Sequence, residues 1–304
     1  MAKTNQAGMS RALVRRETTA AYLFLLPCLI FFLGFVVYPM VTCFINSFTI
    51  YNTYGHSFSV ATMFDNYKRM FDDKVFWQGF WNTILIVVVS VPTVTAFSLW
   101  VGTAIYQMGP KLRSFFRCIF YLPVVTGTVA VTVVWKWMFN NYYGLFNAVG
   151  KGLGILDQNI NWLGDERFAI WCIILILFTT SIGQPIVLYV AALGNVDQAL
   201  IEASEVDGAT KFQVFWKIKW PQIMPTTLYI LVITTINSFQ CFALIQLLTS
   251  GGPNGSTQTI MYYIYYQAIK LGEYGYGNAM DIILAIIIAL FSAIQFKVAG
   301  KDNT

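Results

Sequence analysis

Residues 202–225, "EASEVDGATKFQVFWKIKWPQIMP", carry six charged residues, one glycine and two prolines between two long apolar runs. On the N-terminal side, no acidic or basic residue occurs between Arg167 and Asp197. On the C-terminal side, none occurs between Lys219 and Lys270. Each interval is long enough for a helix of about 20 apolar residues, the length that crosses a bilayer. The stretch is therefore predicted to be a polar connection between two membrane spans.

The composition of the whole chain is also typical of a membrane protein, because 57% of its residues are hydrophobic and only 11% are charged. The intervals without charge predict an all-helical bundle that forms a single transmembrane domain over residues 1–304. About six spans are expected, at residues 20–45, 79–106, 115–139, 168–193, 223–248 and 277–298. Asp281 lies near one end of the sixth span.

The distribution of Lys and Arg predicts the orientation of these spans, since basic residues accumulate on the cytoplasmic side. With the N-terminus inside, 12 of the 19 Lys and Arg residues fall in cytoplasmic segments. Both termini and residues 197–221 are therefore predicted to be cytoplasmic. The net charge of +5 follows from this topology and gives no support to nucleic-acid binding. The first apolar run is too long for a signal peptide, which predicts a retained helix.

Local signals divide the polar connection into two helices. Asp197 is placed to cap a first helix, and Gly208 is placed to end it in a left-handed turn. Thr210 and Gln213 have the spacing of a capping box that opens a second helix. Two interpretations remain open on these grounds. The acidic first helix is either a solvated surface or a docking element for a cytoplasmic partner.

A resemblance favours the docking element. The residues Glu202-Ala203-Ser204 and Asp207-Gly208-Ala209, followed by Phe215, Pro221 and Pro225, resemble the EAA motif of permease subunits of ABC importers. Ser204 replaces the usual second alanine of that motif. In that family the motif forms a coupling helix that docks on the ATPase subunit. The resemblance implies docking residues at Glu202, Ala203, Ser204, Glu205, Asp207, Gly208 and Ala209.

The resemblance covers nearly the whole chain. "NWLGD" at 161–165, "GQPIVLYVAALGNVDQAL" at 183–200 and "LLTSGGP" at 247–253 are similar to carbohydrate-uptake permeases of the maltose, glycerol-phosphate and multiple-sugar group. "LLTSGGP" resembles the F-type subunit of maltose permeases in particular. The family implies a complex in the bacterial cytoplasmic membrane, with a second, unlike permease, two ATPase subunits and an extracellular solute-binding protein.

The resemblance also implies that ATP and Mg bind to the partner ATPase subunits. The sequence contains no G-x-x-x-x-G-K-[ST] phosphate-binding loop, so no cofactor and no enzymatic activity are predicted for this chain. The lone His56 and five separated cysteines give no metal-ligand spacing. No metal site is predicted.

A transported sugar needs hydrogen-bonding and stacking partners within the membrane, and such uncharged polar residues cluster on the fourth and fifth spans. Asn and Gln are costly in lipid and usually face the interior of a bundle. The alternative is that these groups only bond one helix to another. By resemblance, the positions of Thr179, Ser181, Gly183, Asn237, Ser238 and Cys241 line the sugar site. The full predicted substrate-binding set is Thr179, Ser181, Gly183, Gln184, Thr234, Asn237, Ser238, Gln240 and Cys241.

Three other functions remain as alternatives. A permease for another solute, such as an amino acid or a polyamine, would share the same architecture. An ion-coupled secondary carrier would use Asp281 as a proton or ion site, whereas a structural Asp281 would be hydrated or paired at the outer boundary. A membrane enzyme or scaffold is the third alternative. It is disfavoured because no His, Cys or carboxylate cluster occurs in the spans.

Overall fold

The computed structural model describes residues 11–52, 54–57 and 62–299. Helices dominate these residues. The N-terminal half contains α1 (Arg11–Phe32), α2 (Tyr38–Ser47), α3 (Asp65–Asp72), α4 (Lys74–Tyr106), α5 (Pro110–Val125), α6 (Thr128–Met138) and α7 (Leu145–Gly152). The C-terminal half contains α8 (Glu166–Ser181), α9 (Gly183–Gly194), α10 (Gln198–Val206), α11 (Lys211–Val214), α12 (Trp220–Phe239), α13 (Ala243–Leu248), α14 (Ile260–Tyr265) and α15 (Tyr274–Ala299).

Five of the six predicted spans lie inside apolar helical segments that are long enough to cross a membrane. These segments are Arg15–Ser47, Lys74–Tyr106, Glu166–Gly194, Lys211–Leu248 and Tyr274–Val298. Short π-helical turns at Leu33–Val37 and Phe215–Lys219 join neighbouring helices without ending the segment. The all-helical membrane bundle expected from the charge-free intervals is therefore confirmed.

The third predicted span, residues 115–139, differs from a single helix. It consists of α5 and α6, which meet at an angle of 95°. Pro123 lies inside α5 and has no amide hydrogen to donate to the preceding turn. Thr126 and Gly127 then adopt extended backbone angles between the two helices. The bend opens the space between α5, α6 and the rest of the bundle.

Buried side chains tie the helices into one structure. One cluster joins α9, α10, α11 and α12 through Tyr189, Leu193, Ile201, Val214 and Ile223. Burial of each large aliphatic side chain stabilises such a cluster by about 2 kcal/mol. The short α10 and α11 are therefore fixed to the membrane helices. The end of the bundle that carries α10 is called the α10 end below, and the opposite end is called the α14 end.

The α14 end contains the longer connections. The charged stretch "DNYKRMFDDKVFW" at 65–77 contains α3, and a single residue separates the end of α3 from the start of α4. The sequence did not predict an antiparallel pair of three-residue strands, β1 (Ile50–Asn52) and β2 (Gly55–Ser57), in which Tyr51 is opposite His56. The rings of Tyr51 and His56 make an edge-to-face contact with centroids 5.1 Å apart. His56 therefore lies in a small surface hairpin.

Candidate functional site

The polar connection forms a folded element at the α10 end. The Asp197 carboxylate accepts a hydrogen bond from the Ala199 amide at 2.9 Å, so the predicted helix cap is present. Ile201 on α10 and Val214 on α11 are both buried in the cluster with Tyr189 and Leu193. These contacts leave the opposite face of α10 open to solvent.

Gly208 ends α10 as the sequence predicted. Its φ of +79° lies in the left-handed region that glycine adopts without steric cost. The Asp207 amide donates to the Ala203 carbonyl at 3.0 Å, and the Ala209 amide donates to the Ser204 carbonyl at 2.9 Å. These two bonds satisfy carbonyls that would otherwise be unpaired at the end of the helix. The turn is thus fixed by its own backbone.

The capping box is also present. The Gln213 amide donates to the Thr210 hydroxyl at 3.3 Å, and the Thr210 amide donates to the Gln213 side-chain oxygen at 2.8 Å. The helix that begins here continues through the π turn at Phe215–Lys219 into α12. The connection is therefore mechanically continuous with the fifth span.

The outward surface of α10 is both acidic and apolar. Among the predicted docking residues, Ser204 and Ala209 are half-buried, and the exposed ones are Glu202, Ala203, Glu205, Asp207 and Gly208. The apolar part of this surface was not predicted from the sequence. Val206 is 89% exposed and Leu200 is 50% exposed, although both are aliphatic. Carboxylates beside uncovered aliphatic groups suit contact with a protein surface that is partly basic and partly apolar.

Two cavities lie among the membrane helices, where the polar clusters on α8, α9 and α12 meet α5. The first has a volume of about 170 Å³. Four predicted substrate-binding residues line it, namely Ser181, Gln184, Thr234 and Asn237. Tyr229 also lines it and is half exposed, although it was not predicted from the sequence. The cavity therefore brings hydroxyl, amide and phenol groups together.

The second cavity occupies the bend between α5 and α6 and has a volume of about 270 Å³. Gln240 and Cys241, both predicted, line it together with Phe242. Val124 and Thr180 line both cavities, so the two spaces adjoin along these side chains. The wall that α5 and α6 contribute to this cavity could not be predicted from the sequence, because residues 115–139 were expected to form one helix.

Three predicted substrate-binding residues line neither cavity. The Thr179 hydroxyl donates to the Ile176 carbonyl of its own helix at 2.8 Å. Ser238 is only 2% exposed. Gly183 is buried where α9 crosses α5, and a β-carbon there would lie 2.8 Å from a Val124 methyl carbon. Gly183 therefore allows close packing of two helices.

The side chains that line the two cavities are uncharged. Neither lining contains a Lys, Arg, His, Asp or Glu side chain. Hydroxyl and amide groups both donate and accept hydrogen bonds, and the aromatic rings of Tyr229 and Phe242 offer flat apolar faces. Together these groups suit a neutral, hydroxyl-rich ligand.

Asp281 lies apart from these cavities. It is half-buried on α15, and the Cys43 thiol of α2 lies 3.7 Å from one of its carboxylate oxygens. The same thiol lies 3.6 Å from the Asn278 side-chain oxygen. Among the described residues, no group of three or more His, Cys, Asp or Glu side chains could hold a metal ion. Asp281 thus has packing partners and lines neither space described above.

At the α14 end, Asp73 joins three helices. Its carboxylate caps α4 and accepts hydrogen bonds from the hydroxyls of Tyr263 at 2.5 Å and Tyr276 at 2.7 Å. Partial burial opposes ionisation of Asp73, but these bonds and those from the Val75 and Phe76 amides lower its pKa below the usual range. Burial and the neighbouring carboxylate raise the pKa of Tyr263 to about 12. Asp73 is therefore an ionised carboxylate that accepts hydrogen bonds from two neutral phenol groups.

Asn147 organises a second connection at this end, between α6 and α8. Its side-chain nitrogen donates to the Asn141 and Ile160 carbonyls at 3.1 and 2.9 Å. Its side-chain oxygen accepts from the Ile160 amide and the Trp162 indole at 3.1 and 3.0 Å. Asn147 is 2% exposed. These hydrogen bonds therefore fix the conformation of the long loop that includes "NWLGD".

Comparison with known proteins agrees with this architecture. The family described as "Binding-protein-dependent transport system inner membrane component" matches residues 95–298. The multiple sugar-binding transport system permease protein MsmF of Streptococcus mutans is 30% identical and covers 91% of this chain and 94% of its own. The arabinooligosaccharides transport system permease protein AraP of Bacillus subtilis is 30% identical over 96% of this chain and 92% of its own.

A solved structure shares the fold. In the crystal structure of a bacterial alginate ABC transporter in complex with an alginate pentasaccharide-bound periplasmic protein, one chain superimposes with a TM-score of 0.79. The alignment covers 93% of this chain and 95% of that chain at 23% sequence identity. The family match and the sugar-system relatives confirm the resemblance to ABC importer permeases. The chain belongs to the family of inner-membrane components of binding-protein-dependent transport systems and is a multi-pass permease of that membrane.

Proposed function

We propose that this chain is the transmembrane permease subunit of an ABC importer that moves a sugar into the cytoplasm. The observation that carries the proposal is the pair of adjoining, uncharged cavities within the membrane helices, lined by hydroxyl, amide and aromatic groups. A sugar loses many hydrogen bonds to water when it enters a membrane, and such groups replace them. The names of the sugar-system relatives agree with this substrate class.

In this proposal the sugar binds first to an extracellular solute-binding protein and then passes to the cavities. Ser181, Gln184 and Asn237 hydrogen-bond its hydroxyls, and the Tyr229 ring packs on an apolar sugar face. Thr180, which lines both cavities, contacts the sugar as it moves from one space to the other. The cavities described here are one subunit's share of a site completed by a second, unlike permease.

The energy for transport comes from two partner ATPase subunits, which bind ATP and Mg²⁺. The exposed residues of α10 dock on one of them at the cytoplasmic side. Closure of the ATPase dimer moves α10, and alternating access follows from rigid displacement of the helices joined to it. The continuous helical path from α11 through the π turn into α12 supports this mechanism, because Thr234 and Asn237 lie on α12.

The test is uptake by the complete transporter in proteoliposomes that contain ATP. The cognate binding protein is first screened by thermal shift against sugars, amino acids and polyamines to identify the solute. We expect a sugar to raise its unfolding temperature and to accumulate inside the vesicles only with ATP and the binding protein. A binding protein stabilised by an amino acid or a polyamine alone would contradict the proposed substrate class.

The same vesicles separate the ABC importer from an ion-coupled carrier. We expect uptake to persist when an ionophore removes the proton and sodium gradients. Asp281→Asn should then retain uptake, because Asp281 lines neither cavity and contacts Cys43 instead of solute. Uptake that needs an ion gradient and Asp281 but no ATP would refute the proposal.

A further inference from the structure

A third space lies on the outside of the bundle, between α4 and α8. It has a volume of about 620 Å³ and is separate from the two cavities described above, with which it shares no lining residue. Its walls are apolar except for one hydroxyl. They are formed by Val89, Thr93, Ala96, Phe97 and Trp100 of α4 and by Trp171, Ile174, Leu175 and Phe178 of α8. We call this space the α4–α8 groove.

The length of the groove matches one leaflet of a membrane. From Val89 to Trp100, α4 rises by about 17 Å at ~1.5 Å per residue. The hydrocarbon core of a bilayer is about 30 Å thick, so each leaflet contributes roughly half of that distance. An acyl chain in the leaflet at the α10 end would therefore lie along the groove over most of its length.

At Trp100 the groove meets a larger recess at the α10 end, with a volume of about 1080 Å³. Trp100 lines both spaces, and Thr103 and Gln107 continue the same face of α4 into the recess. The opposite wall includes Trp216, close to the coupling segment. The apolar groove thus leads into a recess with both polar and apolar walls, at the depth where tryptophans mark a membrane interface.

The recess is richer in cationic than in anionic groups. Lys211 and Lys219 line it, and Glu205 is the one acidic residue among its lining residues. Gln107 adds an amide that donates hydrogen bonds. Basic pockets beside membrane helices attract anionic phospholipid headgroups. The recess therefore complements a phosphate group attached to a chain in the groove.

We propose that this site binds an anionic phospholipid, with one acyl chain in the α4–α8 groove and the phosphate between Lys211 and Lys219. Lys211 is the first residue of α11, which follows the Gly208 turn of the coupling segment. A bound lipid would hold α11 against α4 and would make the position of the coupling segment depend on membrane composition. This role is independent of which solute the transporter carries.

The experiment uses the complete transporter in nanodiscs that contain brominated phosphatidylglycerol or brominated phosphatidylcholine. Bromine on an acyl chain quenches nearby tryptophan fluorescence. The contribution of Trp100 is obtained by subtracting the signal of Trp100→Phe. We expect Trp100 to be quenched at a lower mole fraction of phosphatidylglycerol than of phosphatidylcholine.

Lysine variants test the headgroup site. In Lys211→Gln/Lys219→Gln, we expect the preference for phosphatidylglycerol to fall by about fivefold for each lysine removed. Lys217→Gln is the matched control, because Lys217 is an exposed lysine of the same segment that does not line the recess. It should keep the wild-type preference. Equal preference in the double variant and the wild type would overturn the proposal.

A second variant tests the groove without altering charge. Ala96 is exposed on the groove wall, so Ala96→Phe fills the space without disturbing the protein core. We expect it to abolish the preferential quenching of Trp100. If Trp100 in the wild-type complex is quenched by neither lipid, the groove is covered by protein, such as a helix of another subunit, and the proposal is wrong.

Discussion

Ile201 of α10 and Ile230 of α12 belong to one buried cluster, and Ile230 also lines the first cavity. Ile201 is 7% exposed and Ile230 is 1% exposed. The cluster therefore forms an unbroken apolar contact between the surface proposed to dock the ATPase and the cavity proposed to hold the sugar. Close-packed interiors transmit displacement, so movement of α10 should reach the cavity by this path.

Ile201→Ala tests that path. The substitution leaves a cavity beneath α10 and should cost about 2–5 kcal/mol of local stability. We expect sugar-stimulated ATP hydrolysis to fall more strongly than sugar binding, because no cavity-lining residue is changed. Ile294→Ala is the control, since Ile294 is 60% exposed on α15. Equal ATPase stimulation in both variants would disprove transmission through this cluster.

Gly208→Ala tests the turn that ends α10. No atom outside the turn would meet the added β-carbon, so the cost comes from the φ of +79° alone. A non-glycine residue in the left-handed region costs about 1 kcal/mol. We expect faster amide hydrogen exchange in α10 and weaker ATPase binding. Gly152→Ala also adds a β-carbon in open space, but within α7 and without a positive φ, so it should leave α10 unchanged.

Thr180→Val tests the residue shared by the two cavities. The change removes a hydroxyl and keeps the side-chain shape. The loss of one hydrogen bond to the sugar should cost about 1 kcal/mol, or roughly a fivefold rise in the KM for uptake. Thr179→Val is the matched control, because the hydroxyls of both threonines donate to the Ile176 carbonyl of their own helix but Thr179 lines neither cavity. A rise in KM that is equal for both variants would argue against the assigned role of Thr180.

Asp73→Asn tests the interaction that joins α4 to Tyr263 and Tyr276. Because the folded state lowers the pKa of Asp73, the carboxylate contributes stability above the ordinary Asp range and loses it as the pH falls through the lowered pKa. Near pH 7, we expect amide exchange in residues 260–276 to be faster in Asp73→Asn than in the wild type. The difference should vanish only in strong acid. Asp72→Asn, an exposed neighbour, should match the wild type at every pH.

Much of the fold could be predicted because the membrane makes charge costly. Five of the spans follow from intervals without charged residues, and the Gly208 turn follows from one glycine between two capping signals. The bend at Thr126 could not be predicted in the same way. A proline such as Pro123 is compatible with a kinked but continuous helix, and packing against α9 and α13 selects the sharper bend.

Part of the candidate site could be predicted because polar residues stand out in apolar membrane helices. Sequence shows which residues are polar, and Gln184 and Asn237 do face the first cavity. It does not show which polar side chains lie away from the cavities, as Thr179 does. Tyr229 was missed because a tyrosine in an apolar run has no distinguishing pattern. Its place at the cavity depends on how α12 is rotated against α9.

The central claim is that the exposed face of α10 couples this permease to an ATPase, and Glu202→Lys tests it most directly. The measurement is the amount of ATPase subunit that co-purifies with the variant, together with ATP-driven sugar uptake in proteoliposomes. Glu17→Lys is the control, with the same charge change at an exposed position on α1. We predict that Glu202→Lys inserts normally but loses most ATPase binding and uptake, while Glu17→Lys keeps both. Wild-type levels of both in Glu202→Lys would contradict the account.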